Sequence, residues 1–128
     1  MDLDIDPNTY NMSIDLLTEK LIYAEKRGKI PKIIIPVHFA GQPCDVSAIR
    51  KLSKRYGFKI IEDASHAIGA FYNGNKVGSC SHSDITVFSF HPVKIITSAE
   101  GGMAVTNNKR IAEKMYRLRT HGITNDKN

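Results

Sequence analysis

The chain has 128 residues, 41% of them hydrophobic, and a formal net charge of +5. That is enough to bury the core of one ordinary domain, but no apolar run reaches the roughly 18 to 20 residues of a membrane-spanning helix. The acidic opening Met1-Asp2-Leu3-Asp4 is unlike a signal peptide, so a soluble, cytoplasmic protein is expected. Cys44 and Cys80 lie in neither a CxxC nor a Cys/His metal spacing, and they read as two idle or buried thiols. The positive excess falls toward one end, on Lys109, Arg110, Lys114, Arg117 and Arg119. Ile111, Met115 and Leu118 recur there at helical spacing, which makes these charges the wet side of an amphipathic helix. No helix-turn-helix, RNP-like or zinc-finger pattern accompanies them, so nucleic acid is not an expected partner, while an anionic small molecule suits the positive field.

In chain order, Ser13 is placed to cap a helix carrying Ile14, Leu17 and Leu21, which stops at Gly28. Lys32-Ile33-Ile34-Ile35-Pro36-Val37 is apolar at nearly every position, the pattern of a parallel strand buried on both faces. Asp45 caps a second helix with Val46, Ile49 and Leu52 inward, which ends at Tyr56-Gly57. A strand over Phe58 to Glu62 then completes a βαβ unit. A Gly-rich turn region follows through Gly69, Gly74 and Gly78. Ile85 to Phe90 reads as a strand, followed by a loop bearing Lys94. Gly101 to Thr106 reads as a further strand, leading into the basic helix. The order specifies an α/β fold with a mostly parallel sheet, and ligands of such sheets gather beyond the carboxyl ends of the strands.

Two segments carry chemistry at those ends. Ile60-Ile61-Glu62-Asp63-Ala64-Ser65-His66 delivers a carboxylate where one strand stops, and Phe88-Ser89-Phe90-His91-Pro92-Val93-Lys94 delivers a hydroxyl and an amine where another stops. An amine able to form a Schiff base, a carboxylate and a phosphate-binding hydroxyl are the groups that pyridoxal phosphate chemistry requires. Lys94 would hold the cofactor and move a proton, and Asp63 would keep the pyridine nitrogen protonated. Ser89 would donate to the phosphate, and His66 would sit against the ring or its oxygen. Each residue also has a plain reading. Lys94 alone is a loop lysine, Glu62-Asp63 a polar strand exit, His38 with Gly41 a strand-to-loop exit, Glu100-Gly101-Gly102 a turn, and His91 a turn-shaping residue before Pro92. His82 and His121 read as surface residues without partners. The pairing of the two segments carries the case.

The run from Glu62 to Ala70, Val77-Gly78-Ser79-Cys80, Ser83 to Lys94, and Ala99-Glu100-Gly101-Gly102-Met103 together resemble the DegT/DnrJ/EryC1/StrS family of pyridoxal-phosphate-dependent sugar aminotransferases. Pro36-Val37-His38, Gly41 and Asp45 match that family's preceding strand and loop. The resemblance implies a three-layer α/β fold, part of a fold-type-I large domain, acting on a nucleotide sugar and an amino-acid donor, in a homodimer or higher assembly. It implies Lys94 as the Schiff-base lysine, with Asp63, His66 and Ser89 as further cofactor contacts. Lysine rather than histidine at position 94 points to transamination instead of dehydration. His66 and the His91-Pro92-Val93-Lys94 wording look most like the pseudaminic-acid pathway enzyme. That enzyme moves an amino group from glutamate to C4 of a UDP-linked 4-keto-6-deoxy-N-acetylhexosamine.

Members of that family are considerably longer. The resemblance therefore casts residues 1–128 as the central part of the large domain, without the phosphate-cradling turn and ring-stacking aromatic upstream or the small C-terminal domain downstream. Two functions of different class follow as expectations. One is the aminotransferase that the residues describe, and the other is a non-catalytic remnant that folds and self-associates through exposed apolar patches.

Overall fold

The computed structural model describes residues 3–123, with elements α1 (Ile14–Lys26), β1 (Ile33–Ile34), α2 (Val46–Tyr56), β2 (Lys59–Asp63), β3 (Phe71–Tyr72), β4 (Asn75–Lys76), β5 (Ile85–Ser89), β6 (Gly102–Val105) and α3 (Lys109–Arg119). The start at Met1-Asp2 and the tail Asn125 to Asn128 lie outside the described residues. Both expected caps form. Ser13 Oγ accepts the Leu16 amide and Asp45 Oδ1 accepts the Ala48 amide, each satisfying an orphan donor of a first helical turn.

Four strands make one sheet in the order β1-β2-β5-β6. β1, β2 and β5 run parallel, with Ile34 beside Ile60 and Asp63 beside Val87. β6 pairs antiparallel to β5, so the sheet is mostly parallel with one reversed edge strand. β1 is shorter than the run of apolar residues suggests, and the reason is Pro36. Lacking an N–H, Pro36 cannot donate to the ladder, yet its carbonyl still accepts the Asp63 amide at 2.9 Å. Pairing resumes at a bridge between Val37 and Asp63.

Among the described residues, one face of β1 is well covered and the other is not. Leu17 and Leu21 of α1 and Ile49 of α2 pack with Ile34, Phe58 and Ile60 into the main core. Ile33, Ile35 and Val37 point the other way and are 50%, 53% and 45% exposed. The two-sided burial expected of this strand is thus absent among the described residues. α3 borders the second face at the β6 edge, where Ala112, Met115 and Tyr116 share a hollow with Gly102 and Ala104. This is the only helix of the third layer among the described residues, and it covers little: Ile111 and Met115 are half-buried and Leu118 is 63% exposed. No described helix is long and apolar enough to cross a membrane.

The Gly-rich region is more ordered than a turn. β3 and β4 form a hairpin around Asn73-Gly74, both in the left-handed region at φ 47° and 77°. That two-residue turn twists with its strands and needs positive φ at both central positions, which Asn and Gly supply. The hairpin brings Tyr72 onto α2, where its hydroxyl donates to Asp45 Oδ1 at 2.5 Å, and its ring meets the edge of His82. His82 is therefore half-buried against a partner, correcting the expectation of a free surface histidine. Its neighbour Asp84 ties three elements together, accepting from Arg50, Lys59 and the Ile60 amide.

Candidate functional site

Asp63 closes β2 and is half-buried. Side chains alternate along a strand, so Asp63, Val87 and Ser89 share one face and Glu62, Thr86 and Phe88 the other. Ser89 thus stands beyond Asp63 on the adjacent strand, at the same carboxyl edge. Its hydroxyl accepts the His91 amide at 3.4 Å.

After β5 the chain turns sharply. The Lys94 amide donates to the His91 carbonyl, and the His91 ring accepts the Val93 amide, so His91 does shape the turn before Lys94. Thr97 Oγ1 and the Ser98 amide both return to the Phe90 carbonyl and fold the loop back on the strand end. The half-buried Lys94 side chain then reaches the segment after β2, where Nζ lies 3.0 Å from His66 Nε2. Lys94 and His66, 28 residues apart, are in direct contact, and both lie close enough to Asp63 for their charge to act on it.

Asp63 is set up as an anion. Its partial burial pushes the carboxyl pKa upward, but hydrogen bonding by Ser65, with the positive fields of His66 and Lys94, outweighs burial and holds it below the ordinary value. Oδ1 takes the Ser65 amide at 3.0 Å, and Oδ2 has no hydrogen-bond partner among the described residues. The site therefore presents an ionised carboxylate with one free oxygen and an amine on the same sheet edge, with a hydroxyl nearby.

Sequence reasoning missed the groups behind and above this edge. His38 is not a bare strand exit. It is fully buried, with Nε2 2.7 Å from Glu62 Oε2. Glu62 in turn accepts Thr86 Oγ1 at 3.2 Å. The signal was available, since Glu62 lies two residues from Ile60 on the core face, and a carboxylate there requires a partner. Above the edge, the turn Phe39–Gly41 lays the Phe39 ring against the edge of His66, with Tyr10 next to Phe39. Gly41 sits at φ 86°, and a Cβ there would meet the His66 carbonyl at 3.1 Å, so only glycine lets this turn approach so closely. Asn11 holds the turn in place, accepting the Phe39 amide and donating to the Gln42 carbonyl.

Neither cysteine belongs to this chemistry. Both are free and buried, and burial pushes the Cys44 thiol up to about 11.

Known proteins are similar to this chain in sequence and fold. The chain is 44% identical over 124 residues to an uncharacterised protein of Methanocaldococcus jannaschii, covering 97% of this chain and 30% of that one. Helicobacter pylori PseC, an aminotransferase involved in the biosynthesis of pseudoaminic acid, superimposes with a TM-score of 0.87 at 37% identity, over 99% of this chain and 32% of its own. NtdA from Bacillus subtilis, determined with bound cofactor PMP, superimposes with a TM-score of 0.79 at 29% identity, over 100% of this chain and 28% of its own. The chain thus spans about a third of the length of the relatives it matches. Residues 1–128 all match one family description, in keeping with the order of motifs from Pro36 to Met103 and the strand-end site they build. The chain belongs to the DegT/DnrJ/EryC1/StrS aminotransferase family.

Proposed function

We propose that this chain is the central, cofactor-holding part of the large domain of a pyridoxal-phosphate-dependent nucleotide-sugar aminotransferase. The observation that carries the reading is the carboxyl-edge cluster in which Lys94 Nζ lies 3.0 Å from His66 Nε2, and both lie near enough to Asp63 to lower its pKa. These residues fit the cofactor. Asp63 offers an anionic oxygen with no other partner to a protonated ring nitrogen, Lys94 offers an amine, and Ser89 offers a hydroxyl to the phosphate. That NtdA was determined with bound PMP supports the same cofactor class here.

When bound, pyridoxal phosphate supplies an electron sink for the pair left behind when a proton leaves the carbon bearing the amine. The chain supplies the rest. Asp63 would keep the ring nitrogen protonated through its own negative charge. Lys94 would hold the cofactor through Nζ and, once free of it, would move a proton at that nitrogen from the carbon bearing the amine to the cofactor carbon beside it. His66, with Nε2 3.0 Å from Nζ, would orient the Lys94 amine and meet the cofactor ring or its oxygen. Ser89 would hold the phosphate end and so limit where the reactive end can stand.

For substrate, the likeness to PseC and the His66 and His91-Pro92-Val93-Lys94 wording support a UDP-linked 4-keto-6-deoxy-N-acetylhexosamine as amino acceptor and glutamate as donor, in surface glycan biosynthesis in the cytoplasm. The exposed face of Ile33, Ile35 and Val37 supports self-association as a homodimer or larger assembly. The same exposed face also favours a second reading, in which this stretch folds and self-associates without catalysis. Both readings are tested by incubating the chain with pyridoxal phosphate, a UDP-4-keto-sugar and isotopically labelled glutamate. Label in the sugar amine supports the first, and label retained in glutamate supports the second.

A further inference from the structure

The buried pair behind Asp63 bears on the site in front of it. His38 is 0% exposed and Glu62 is 5% exposed, and they face each other across the ends of β1 and β2. The proton on the His38 ring is located by its neighbours. Nδ1 accepts the Cys44 amide at 3.2 Å, so the ring proton resides on Nε2 and is donated to Glu62 Oε2 at 2.7 Å. Glu62 Oε1 accepts Thr86 Oγ1 at 3.2 Å, which extends the link to β5. These side chains thus tie the segment after β1 to β2 and β5, one residue before Asp63.

The backbone transmits the clamp to Asp63. Its amide donates to Pro36 and its carbonyl accepts from the His38 amide, each at 2.9 Å. Both bonds lie just past the gap in the ladder left by Pro36, which has no N–H to donate. Asp63 is therefore held by two ladder bonds just past the Pro36 gap, and the His38–Glu62 contact adds a side-chain bond at the same place.

We propose that His38 is a positioning residue for Asp63: its Nε2–H bond to Glu62 locks the end of β1 to β2 and sets where the Asp63 carboxylate stands relative to Ser65, His66 and Lys94. Glu62 and Thr86 complete the same device. The proposal rests on Asp63 being the working carboxylate of the site. Its test uses no cofactor, so failure of cofactor binding and failure of this proposal are separate results.

The readout is the 13C titration of the Asp63 carboxyl carbon in the purified chain, assigned with Asp63→Asn. The groups facing that carboxylate are Ser65, His66 and Lys94 on the site side, with the Glu62–His38 pair on the other face of the strand. Two substitutions split the bonds of His38. His38→Gln places an amide donor where Nε2 stood and loses the acceptor for Cys44, while His38→Asn places an acceptor where Nδ1 stood and loses the donor to Glu62. The expected result is an Asp63 midpoint near wild type in His38→Gln and a midpoint raised toward the ordinary aspartate range in His38→Asn. Thr86→Val, close to isosteric, removes the other bond to Glu62 and shifts the midpoint the same way by less. A purely structural role lowers unfolding temperature in both His38 variants and leaves the Asp63 titration unmoved. An unmoved midpoint, or equal movement in the Gln and Asn variants, overturns the proposal. If both His38 variants fail to fold, Thr86→Val decides, and an unmoved midpoint there overturns it as well.

Discussion

Single carboxylates do unequal work here, and their partners decide which. Asp84 is structural. Burial pushes its pKa upward, but the Ile60 amide, Lys59 and Arg50 outweigh burial and hold it below the ordinary value. A depressed folded pKa adds stability that is present above the unfolded value, about 3.9, and is lost as pH falls through the folded value. Asp84→Asn is therefore expected to cost about 1–2 kcal/mol at neutral pH in urea unfolding, with the gap to wild type closing in acid. A gap that stays constant with pH contradicts this account. Asp63 differs in keeping one oxygen without a partner, the feature of a residue that meets a ligand. The position of Asp63 and Lys94 at one sheet edge was legible from the strand pattern, because a parallel sheet sends successive strand ends to the same side. The contact of Lys94 with His66 was not. It depends on how residues 91 to 98 fold back on the Phe90 carbonyl, which no periodicity encodes. The His38–Glu62 pair was hidden for another reason: Glu62 next to Asp63 reads as a polar exit until the parity of Ile60 assigns it to the core face.

At the scale of elements, helices were the more legible because their signals are local. Ser13 and Asp45 cap where their spacing from the first apolar turn requires, and Gly57 ends α2 in the left-handed conformation at φ 82°. The β3–β4 hairpin was passed over although Asn73-Gly74 is the strongest short-range hairpin signal there is, since neither flanking dipeptide alternates clearly. Its turn gives a direct test. Gly74→Val puts a β-branched residue at φ 77° and is expected to destabilise the chain by about 1–2 kcal/mol in thermal unfolding, loosening the Tyr72–Asp45 bond. Gly74→Asn, which tolerates that region, is expected to cost less, and equal losses would contradict the turn assignment. β1 shows the opposite failure. Its continuous apolar run reads as a strand buried on both sides, whereas the described residues cover one side only.

The whole molecule is best understood through its uncovered face. Ile33, Ile35 and Val37 follow one another along one face and stay about half exposed, and α3 leaves Leu118 and Tyr116 largely exposed. Apolar surface of this kind associates, so sedimentation velocity is expected to show concentration-dependent oligomers that Ile33→Ser with Ile35→Ser reduces. Unchanged association in that double variant would place the contact elsewhere. The central claim is that the Asp63, His66, Ser89 and Lys94 edge holds pyridoxal phosphate, and an absorbance titration of the purified chain with that cofactor, followed by borohydride reduction and peptide mapping, tests it most directly. The account predicts an absorbance band that is lost in Lys94→Ala and a reduced adduct that maps to Lys94. No band, or a band unchanged in Lys94→Ala, would contradict it.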